Sequence, residues 1–130
     1  MLVIRKATAS DVPRILTLVR ELAAYEKEPH QVIATEADLL RDGFPGDGRE
    51  PAFRVLLVED DAAPGAPALG FALYFFTYST WNGRRCLFLE DVFVEPQHRG
   101  KGAGLALMRA LAKEAIARGC MRFVWNVLDW

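Results

Sequence analysis

Apolar positions near the N-terminus repeat with the three- and four-residue spacing of one helix face. They are Ile15, Leu18, Val19 and Leu22. The spacing predicts a helix with one buried side, preceded by the short strand Leu2–Lys6 and ended before Pro29. A capping-box pattern at Thr35-Glu36-Ala37-Asp38 predicts a second, shorter helix that Gly43 closes. The chain is therefore expected to begin with a strand followed by two helices.

Apolar runs in the middle of the chain have the length and composition of buried strands. They cover Phe53–Glu59, Leu69–Tyr78 and Cys86–Val94. Asn82-Gly83 predicts a hairpin that makes the second and third runs antiparallel neighbours. A helix over Leu105–Arg118 and a strand over Met121–Val127 follow. Because a helix crosses between them, this strand must run parallel to Cys86–Val94.

This order of elements, βααβββαβ, predicts an α/β (α+β) fold whose mixed, mostly antiparallel sheet is flanked by helices. The 130 residues form a single domain, because no linker is long enough to divide them. With 16 basic and 17 acidic residues, the chain has no overall field that would attract nucleic acid or an anionic membrane. The N-terminus lacks a secretory pattern and no run is long enough to span a membrane, so a cytoplasmic location is expected.

Metal and disulfide chemistry are not expected from the cysteines. Cys86 lies in a predicted strand and Cys120 just beyond a predicted helix. Two isolated cysteines do not give the spacing of a metal site or a disulfide framework. We therefore interpret both as buried free thiols and expect no metal cofactor.

A glycine-rich stretch, Arg99-Gly100-Lys101-Gly102-Ala103-Gly104, joins the predicted strand that ends at Val94 to the long helix. Glycines have no Cβ atom, so successive backbone N–H groups can converge on a phosphate at the positive end of the helix dipole. The spacing is neither the dinucleotide-binding fingerprint nor the P-loop. From spacing alone, a tight turn with helix capping explains the glycines as well as anion binding does.

The flanking strand and helix favour anion binding, because together with the glycines they resemble a known family. The hexapeptide resembles the R-x-x-G-x-G/A acyl-CoA signature of the GNAT superfamily of N-acetyltransferases, with Arg99, Gly102 and Gly104 at the fixed positions. Other strings, spread over nearly the whole chain, resemble the diamine (spermidine/spermine) N-acetyltransferase group. Among them are Glu21-Leu22-Ala23-Ala24-Tyr25-Glu26, Leu89-Glu90-Asp91-Val92-Phe93-Val94 and Asp129-Trp130.

The resemblance implies a GNAT-like fold and an acetyltransferase that moves the acetyl group of acetyl-CoA to a primary amine. The substrate would be small and polyamine-like or lysine-like, attacked directly in a ternary complex, and the enzyme would be a homodimer. The residues implied for acetyl-CoA are Val92, Phe93, Val94, Arg99, Gly100, Lys101, Gly102, Ala103, Gly104 and Leu105. Those implied for the amine are Tyr25, Glu26, Glu90, Val124, Trp125 and Asn126.

Two adjacent carboxylates, Glu90 and Asp91, interrupt an apolar strand. Alternation of side chains predicts that they lie on opposite faces, with at least one partly buried. A buried carboxylate needs a partner, which an ammonium group could supply. It could also accept the proton that an attacking amine must lose, so Glu90 is the candidate catalytic residue. The alternative is that Glu90 pairs with an arginine or a backbone N–H for structural reasons.

Family members continue past the equivalent of Asp129-Trp130 with a helix, whose tyrosine protonates the leaving thiolate, and with two further strands. The resemblance thus implies that this domain lacks those C-terminal elements, that its sheet stops after Met121–Val127, and that none of its tyrosines supplies the acid. A non-catalytic acyl-CoA-binding or interaction module therefore stays open as a second function class. The sequence does not distinguish which amine would be acetylated.

Overall fold

Within the described part of the chain, a five-stranded sheet with the strand order β1-β2-β3-β4-β5 forms the centre of the fold. The computed structural model describes residues 1–125. The strands are β1 (Leu2–Lys6), β2 (Arg54–Asp60), β3 (Gly70–Ser79), β4 (Arg84–Val94) and β5 (Arg122–Trp125). The helices are α1 (Val12–Tyr25), α2 (Glu36–Gly43) and α3 (Ala103–Ala117).

The strand pairings confirm the predicted mixed sheet. The first four strands pair antiparallel in sequence order, and β5 pairs parallel with β4. Parallel pairing follows from α3, which carries the chain back along one face of the sheet before β5 begins. Asn126 and Val127, which the sequence places at the end of the last strand, lie outside the described residues.

Each face of the sheet is covered by helix, which gives the domain two apolar layers. On one face, α3 packs on the sheet through residues that include Leu56, Tyr74, Leu87, Leu89, Leu107 and Leu111. On the other, α1 packs on it through residues that include Ile15, Leu18, Val55, Leu57, Phe71 and Phe93. Burying one such side chain contributes about 1.5–3 kcal/mol. These layers hold β4 between two helices and so fix the strand that carries the candidate site.

The local signals at the turns and helix ends act as predicted. A four-residue loop, Thr80–Gly83, joins β3 to β4, and the N–H of Gly83 donates to the carbonyl of Ser79 at 2.8 Å. At the start of α2 the hydroxyl of Thr35 accepts from the N–H of Asp38 at 3.2 Å, and the carboxylate of Asp38 accepts from the N–H of Thr35 at 2.9 Å. Both signals depend only on neighbouring residues, which is why the sequence reveals them.

A β-bulge interrupts β4 at Glu90. Leu73 of β3 pairs with Asp91, and the next residue, Tyr74, pairs with Leu89, so Glu90 has no partner opposite it. The extra residue shifts the phase of the strand: Leu89 packs on the side of α3, whereas Phe93 packs on the side of α1. The strict alternation predicted for Glu90 and Asp91 is therefore wrong for this strand.

Within residues 1–125, no helix combines the length and the apolar character needed to cross a membrane. The same part of the chain contains no cluster of three or more histidine, cysteine, aspartate or glutamate side chains suited to holding a metal ion.

Candidate active site

A cleft of about 830 Å³ opens between the end of α1, the last residues of β4 and the start of α3. It is lined by Leu22, Tyr25, Glu26, Lys27, Val92, Phe93, Val94, His98, Arg99, Gly100, Gly102, Ala103 and Gly104. Most of the residues predicted to hold acetyl-CoA thus border a single cavity. A cavity of this size is in the range of small-molecule and cofactor sites, which cover roughly 300–1,000 Å³.

Two residues predicted to bind the cofactor do not line this cleft. The Lys101 ammonium lies 3.1 Å from Nδ1 of His98 and borders a neighbouring cavity. The side chain of Leu105 is exposed and lies on the surface of α3. A role for Leu105 would therefore depend on its backbone N–H and not on its side chain.

The glycine loop has the geometry of an anion site. Gly100 and Gly102 adopt φ values of +82° and +86°, a left-handed conformation that glycine adopts without strain. A Cβ atom placed on either of them, or on Gly104, would meet no heavy atom within 4 Å, so the loop borders open space. The first hydrogen bond of α3 runs from the N–H of Ala106 to the carbonyl of Gly102. The N–H groups of residues 103–105 precede that bond at the positive end of the helix, where an anion is stabilised.

The last residues of β4 direct backbone groups into the cleft. Among the described residues, β5 pairs with β4 only over Cys86–Leu89. The N–H of Glu95 donates to the carbonyl of Leu69 at 2.9 Å, so it points towards β3. Because backbone groups alternate along a strand, those of Val92 and Val94 point the opposite way. An extended ligand chain bearing amide groups could pair with this edge as an additional strand.

Arg99 places a cation at the wall of the cleft. Its guanidinium lies 4.6 Å from the ring centroid of Tyr25 and 5.6 Å from that of Phe93. Its Nε donates to the carbonyl of Val94 at 3.1 Å. Stacking on two rings and this hydrogen bond hold the positive charge next to the glycine loop, where it can stabilise a phosphate.

A smaller hollow of about 190 Å³ adjoins the cleft. It is lined by Leu22, Glu26, Leu89, Glu90, Asp91, Val92 and Trp125. Leu22, Glu26 and Val92 border both cavities, so the cleft and the hollow share a wall. The bulge on β4 brings both of its carboxylates to this hollow.

The structure brings together part of the predicted amine site. Glu26, Glu90 and Trp125 line the hollow, whereas Tyr25 lies in the adjoining cleft. Val124 is half-buried on β5 next to Trp125. Asn126 lies outside the described residues, so its predicted role stays a prediction.

The electrostatics of the hollow centre on Asp91, which the predicted set of site residues omits. Burial, together with the nearby carboxylates of Glu90 and Glu26, raises the pKa of Asp91 to about 6. Glu90 is exposed, and no arginine or backbone N–H within residues 1–125 pairs with its side chain. Among the described residues that line the hollow, three carry a carboxylate and none carries a positive charge, which suits an ammonium ligand.

A sequence model of the Acetyltransferase (GNAT) family matches residues 15–130. Thialysine N-epsilon-acetyltransferase of Sus scrofa is 44% identical over 131 residues, which cover 98% of this chain and 75% of the relative. Spermidine/spermine N(1)-acetyltransferase-like protein 1 of Homo sapiens is 43% identical over 95% of this chain and 18% of its own length. An aminoglycoside acetyltransferase from an uncultured soil metagenomic sample, solved with sisomicin, gives a TM-score of 0.78. The match covers 98% of this chain and 78% of that one, and at 15% identity it shows likeness of fold alone.

Proposed function

The chain belongs to the GNAT acetyltransferase family and is an acetyl-CoA-dependent N-acetyltransferase, and we propose that its acceptor is the primary amine of a small polyamine-like or lysine-like molecule. The observation that carries this proposal is the shared wall between the glycine-loop cleft and the carboxylate-lined hollow. The two curated relatives described above are named for thialysine and for spermidine or spermine, which are amines of this class. Identity to acetyltransferases over nearly the whole chain excludes the alternative of a non-catalytic module.

The cleft fits acetyl-CoA in shape and chemistry. Acetyl-CoA supplies the acetyl group as a thioester. In our proposal the amides of residues 100–105, including that of Lys101, and the cation of Arg99 hold its pyrophosphate. The open space at Gly100, Gly102 and Gly104 supports this assignment. Val92 and Val94 pair with the amides of the pantetheine arm, and Phe93 and Ala103 border the same cleft.

The hollow binds the amine and removes its proton. An alkylamine has a pKa near 10, so it arrives as an ammonium that Glu26, Glu90 and Asp91 attract. When the C–N bond forms and the C–S bond breaks, the sulfur leaves as a thiolate, and the second proton of the nitrogen passes to it, directly or through water, so that CoA leaves as a free thiol. The first proton must leave the nitrogen before the nitrogen can attack the thioester carbonyl. We assign this first proton to Glu90, directly or through water, because this residue lies at the bulge and is exposed to the hollow. Tyr25 and the segment Val124-Trp125-Asn126 contact the rest of the amine.

An assay of acceptor amines tests this function. The protein is mixed with acetyl-CoA and, in separate reactions, with a diamine, thialysine and a monoamine of equal length, and the release of free CoA thiol is followed. We expect faster release with the diamine and with thialysine, which each carry two ammonium groups, because several carboxylates face the hollow. The matched control is the same amine already acetylated on its primary nitrogen. CoA binding without release of thiol for any amine would contradict the proposal.

Replacing Asp91 with asparagine should change the pH dependence of the reaction. Because the pKa of Asp91 is raised to about 6, the group is neutral below that pH and stops attracting the ammonium. For the wild-type enzyme, kcat/KM for the amine should therefore fall more steeply below about pH 6 than above it. In Asp91→Asn the extra steepness should disappear and kcat/KM at neutral pH should drop about tenfold, as expected for a lost charge-assisted hydrogen bond. Rates measured at saturating acetyl-CoA between about pH 5 and pH 8 give both the steepness of the pH dependence and kcat/KM at neutral pH. If the Asp91→Asn variant had the same pH dependence as the wild type, Asp91 would be excluded from amine binding.

We also propose a homodimer, with the cytoplasm as its location on the sequence argument given above. Among the described strands, β5 has β4 as its neighbour on one side and no strand on the other. An exposed strand edge favours pairing with another chain. Light scattering should give twice the chain mass of 14.5 kDa at micromolar concentration. A monomer over the whole concentration range would contradict the dimer.

A further inference from the structure

A partly buried ionic contact ties α1 to the residue that leads from β4 into the glycine loop. Nη2 of Arg14 donates to Oε1 of Glu95 at 2.7 Å and to the carbonyl of Ala68 at 2.6 Å. Glu95 is 8% exposed, and it is the one charged residue that is fully buried within the described part of the chain. A carboxylate removed from water in this way depends on its partner, because an uncompensated buried charge is strongly destabilising.

Glu95 also controls the course of the backbone at the entrance to the loop. It follows Val94 directly, and its N–H bonds to the carbonyl of Leu69 at 2.9 Å. Its own carbonyl accepts from the N–H of His98 at 2.9 Å and so starts the turn that leads to Arg99. A shift of Glu95 would move both the end of β4 and the start of the glycine loop.

A second carboxyl group, that of Glu21, faces the same contact from α1. Its Oε2 atom is shut off from solvent and has no hydrogen-bond partner among the described residues. The carboxylate of Glu95 lies within hydrogen-bonding reach of the Glu21 side chain. Burial and Glu95 raise the pKa of Glu21, and Arg14 opposes them only in part. Two carboxylates facing one guanidinium carry excess negative charge, which a single shared proton removes.

The remaining charged groups near Glu95 lie along a neighbouring cavity. This cavity is bordered by Arg14, Glu95, Asp60, His98 and Lys101. Asp60 is already paired with the N-terminal amine, and Lys101 lies against His98. Arg14 is thus the cation that directly contacts Glu95, and Glu21 is the group whose charge competes for it.

We infer that Glu95 is a positioning residue for the glycine loop and that a proton held by Glu21 keeps it in the position that binds CoA phosphates. The inference rests on the proposed function, since it takes this loop to be the CoA site. When Glu21 loses the proton, its carboxylate repels Glu95 and competes for Arg14, so the entrance to the loop moves and the affinity for CoA falls. The coupling therefore weakens CoA binding as the pH rises.

The variant Glu21→Gln tests the inference, because glutamine keeps an N–H donor towards Glu95 but does not titrate. Titration calorimetry with CoA gives the Kd of both proteins between about pH 5 and pH 8. The ratio of the wild-type Kd to the variant Kd should be close to one at low pH. At high pH it should rise on the order of fivefold, which is at the low end of the effects that one site has on the affinity of another. The phosphates of CoA titrate equally in both measurements and cancel in the ratio.

Controls separate this coupling from a loss of folding. Glu50→Gln makes the same change at an exposed carboxylate paired with Arg54, and its Kd should follow the wild type at every pH. The raised pKa of Glu21 means that the wild-type fold loses stability as the pH rises through it, so Glu21→Gln should melt higher than wild type at high pH and equally at low pH. Glu95→Gln should raise the KM for acetyl-CoA while leaving kcat at saturation unchanged.

A constant Kd ratio across the pH range in a folded Glu21→Gln protein would overturn the inference and leave the proposed function intact. A wild-type protein that binds no CoA at any pH would overturn both.

Discussion

Replacing Gly102 with valine is expected to weaken CoA binding about 100-fold, the effect of losing one or two charge-assisted hydrogen bonds. Gly102 caps the N-terminus of α3 at a φ of +86°, and its missing Cβ leaves open space on the cleft side. A β-branched side chain there would occupy the space next to the N–H groups of residues 103–105. It would also disfavour the left-handed conformation that directs those groups at the ligand. Titration calorimetry with CoA measures the change.

A control variant is needed to separate the effect of backbone strain in Gly102→Val from the effect of blocking the anion site. Gly48 has a φ of +84° and, like Gly102, has no heavy atom near the position of a Cβ atom, but it lies in the loop between α2 and β2. Gly48→Val therefore carries the same conformational penalty away from the cleft. Both variants should melt at similar temperatures, and only Gly102→Val should lose CoA. Equal affinity for CoA in the two folded variants would mean that the glycine loop is a structural turn and does not bind phosphate.

The sequence predicts the fold of this domain well where local signals and chain geometry are sufficient. The parallel pairing of β5 with β4 follows from the helix between them, and the capping box at Thr35 marks the start of α2 within one residue. The end of the last strand at Val127 lies outside the described residues and stays a prediction. The first helix, predicted to end just before Pro29, ends three residues earlier than that, at Tyr25. Strand and helix limits elsewhere differ by one or two residues, because fraying ends depend on packing more than on sequence.

The candidate site was predictable to the extent that it depends on contiguous residues. The glycine loop and the end of β4 are adjacent in sequence, so their joint cleft could be anticipated. The bulge at Glu90 could not, because it is defined by how β4 pairs with Leu73 and Tyr74 of another strand. Alternation predicts that at least one of Glu90 and Asp91 is partly buried, as Asp91 is, but it separates the two side chains and does not show that Asp91 borders the same hollow with a raised pKa.

The proximity of Arg14 and Glu21 to Glu95 cannot be predicted from the local sequence. The seven-residue spacing of Arg14 and Glu21 indicates a shared helix face. Nothing in that spacing shows that the face meets a residue some seventy positions further along the chain. Only the packing of α1 on the sheet brings these charges together, so that half-buried Arg14 pairs with Glu95 close to the carboxyl group of Glu21.

Replacing Glu90 with glutamine is expected to lower kcat/KM for the amine by about 10²–10⁴, the usual contribution of a general base, while the Kd for CoA stays unchanged. Glutamine keeps the size of the side chain but can neither accept the amine proton nor attract the ammonium. The cleft residues that hold CoA lie on the other side of the wall formed by Leu22, Glu26 and Val92, so they should not respond. Steady-state rates with each substrate varied in turn, together with calorimetry, measure both quantities.

Glu90→Asp provides the matched control, because it keeps the carboxylate but shortens its reach by one methylene. If Glu90 takes the proton directly, the shorter acid should recover only part of the lost rate; if a water relays the proton, it should recover most of it. The neighbouring Asp91→Asn should change the steepness of the pH profile near pH 6 and lower the rate far less than Glu90→Gln does. Normal amine kinetics in a Glu90→Gln enzyme would transfer the role of base to Asp91, whose pKa is raised to about 6 and whose carboxylate borders the same hollow.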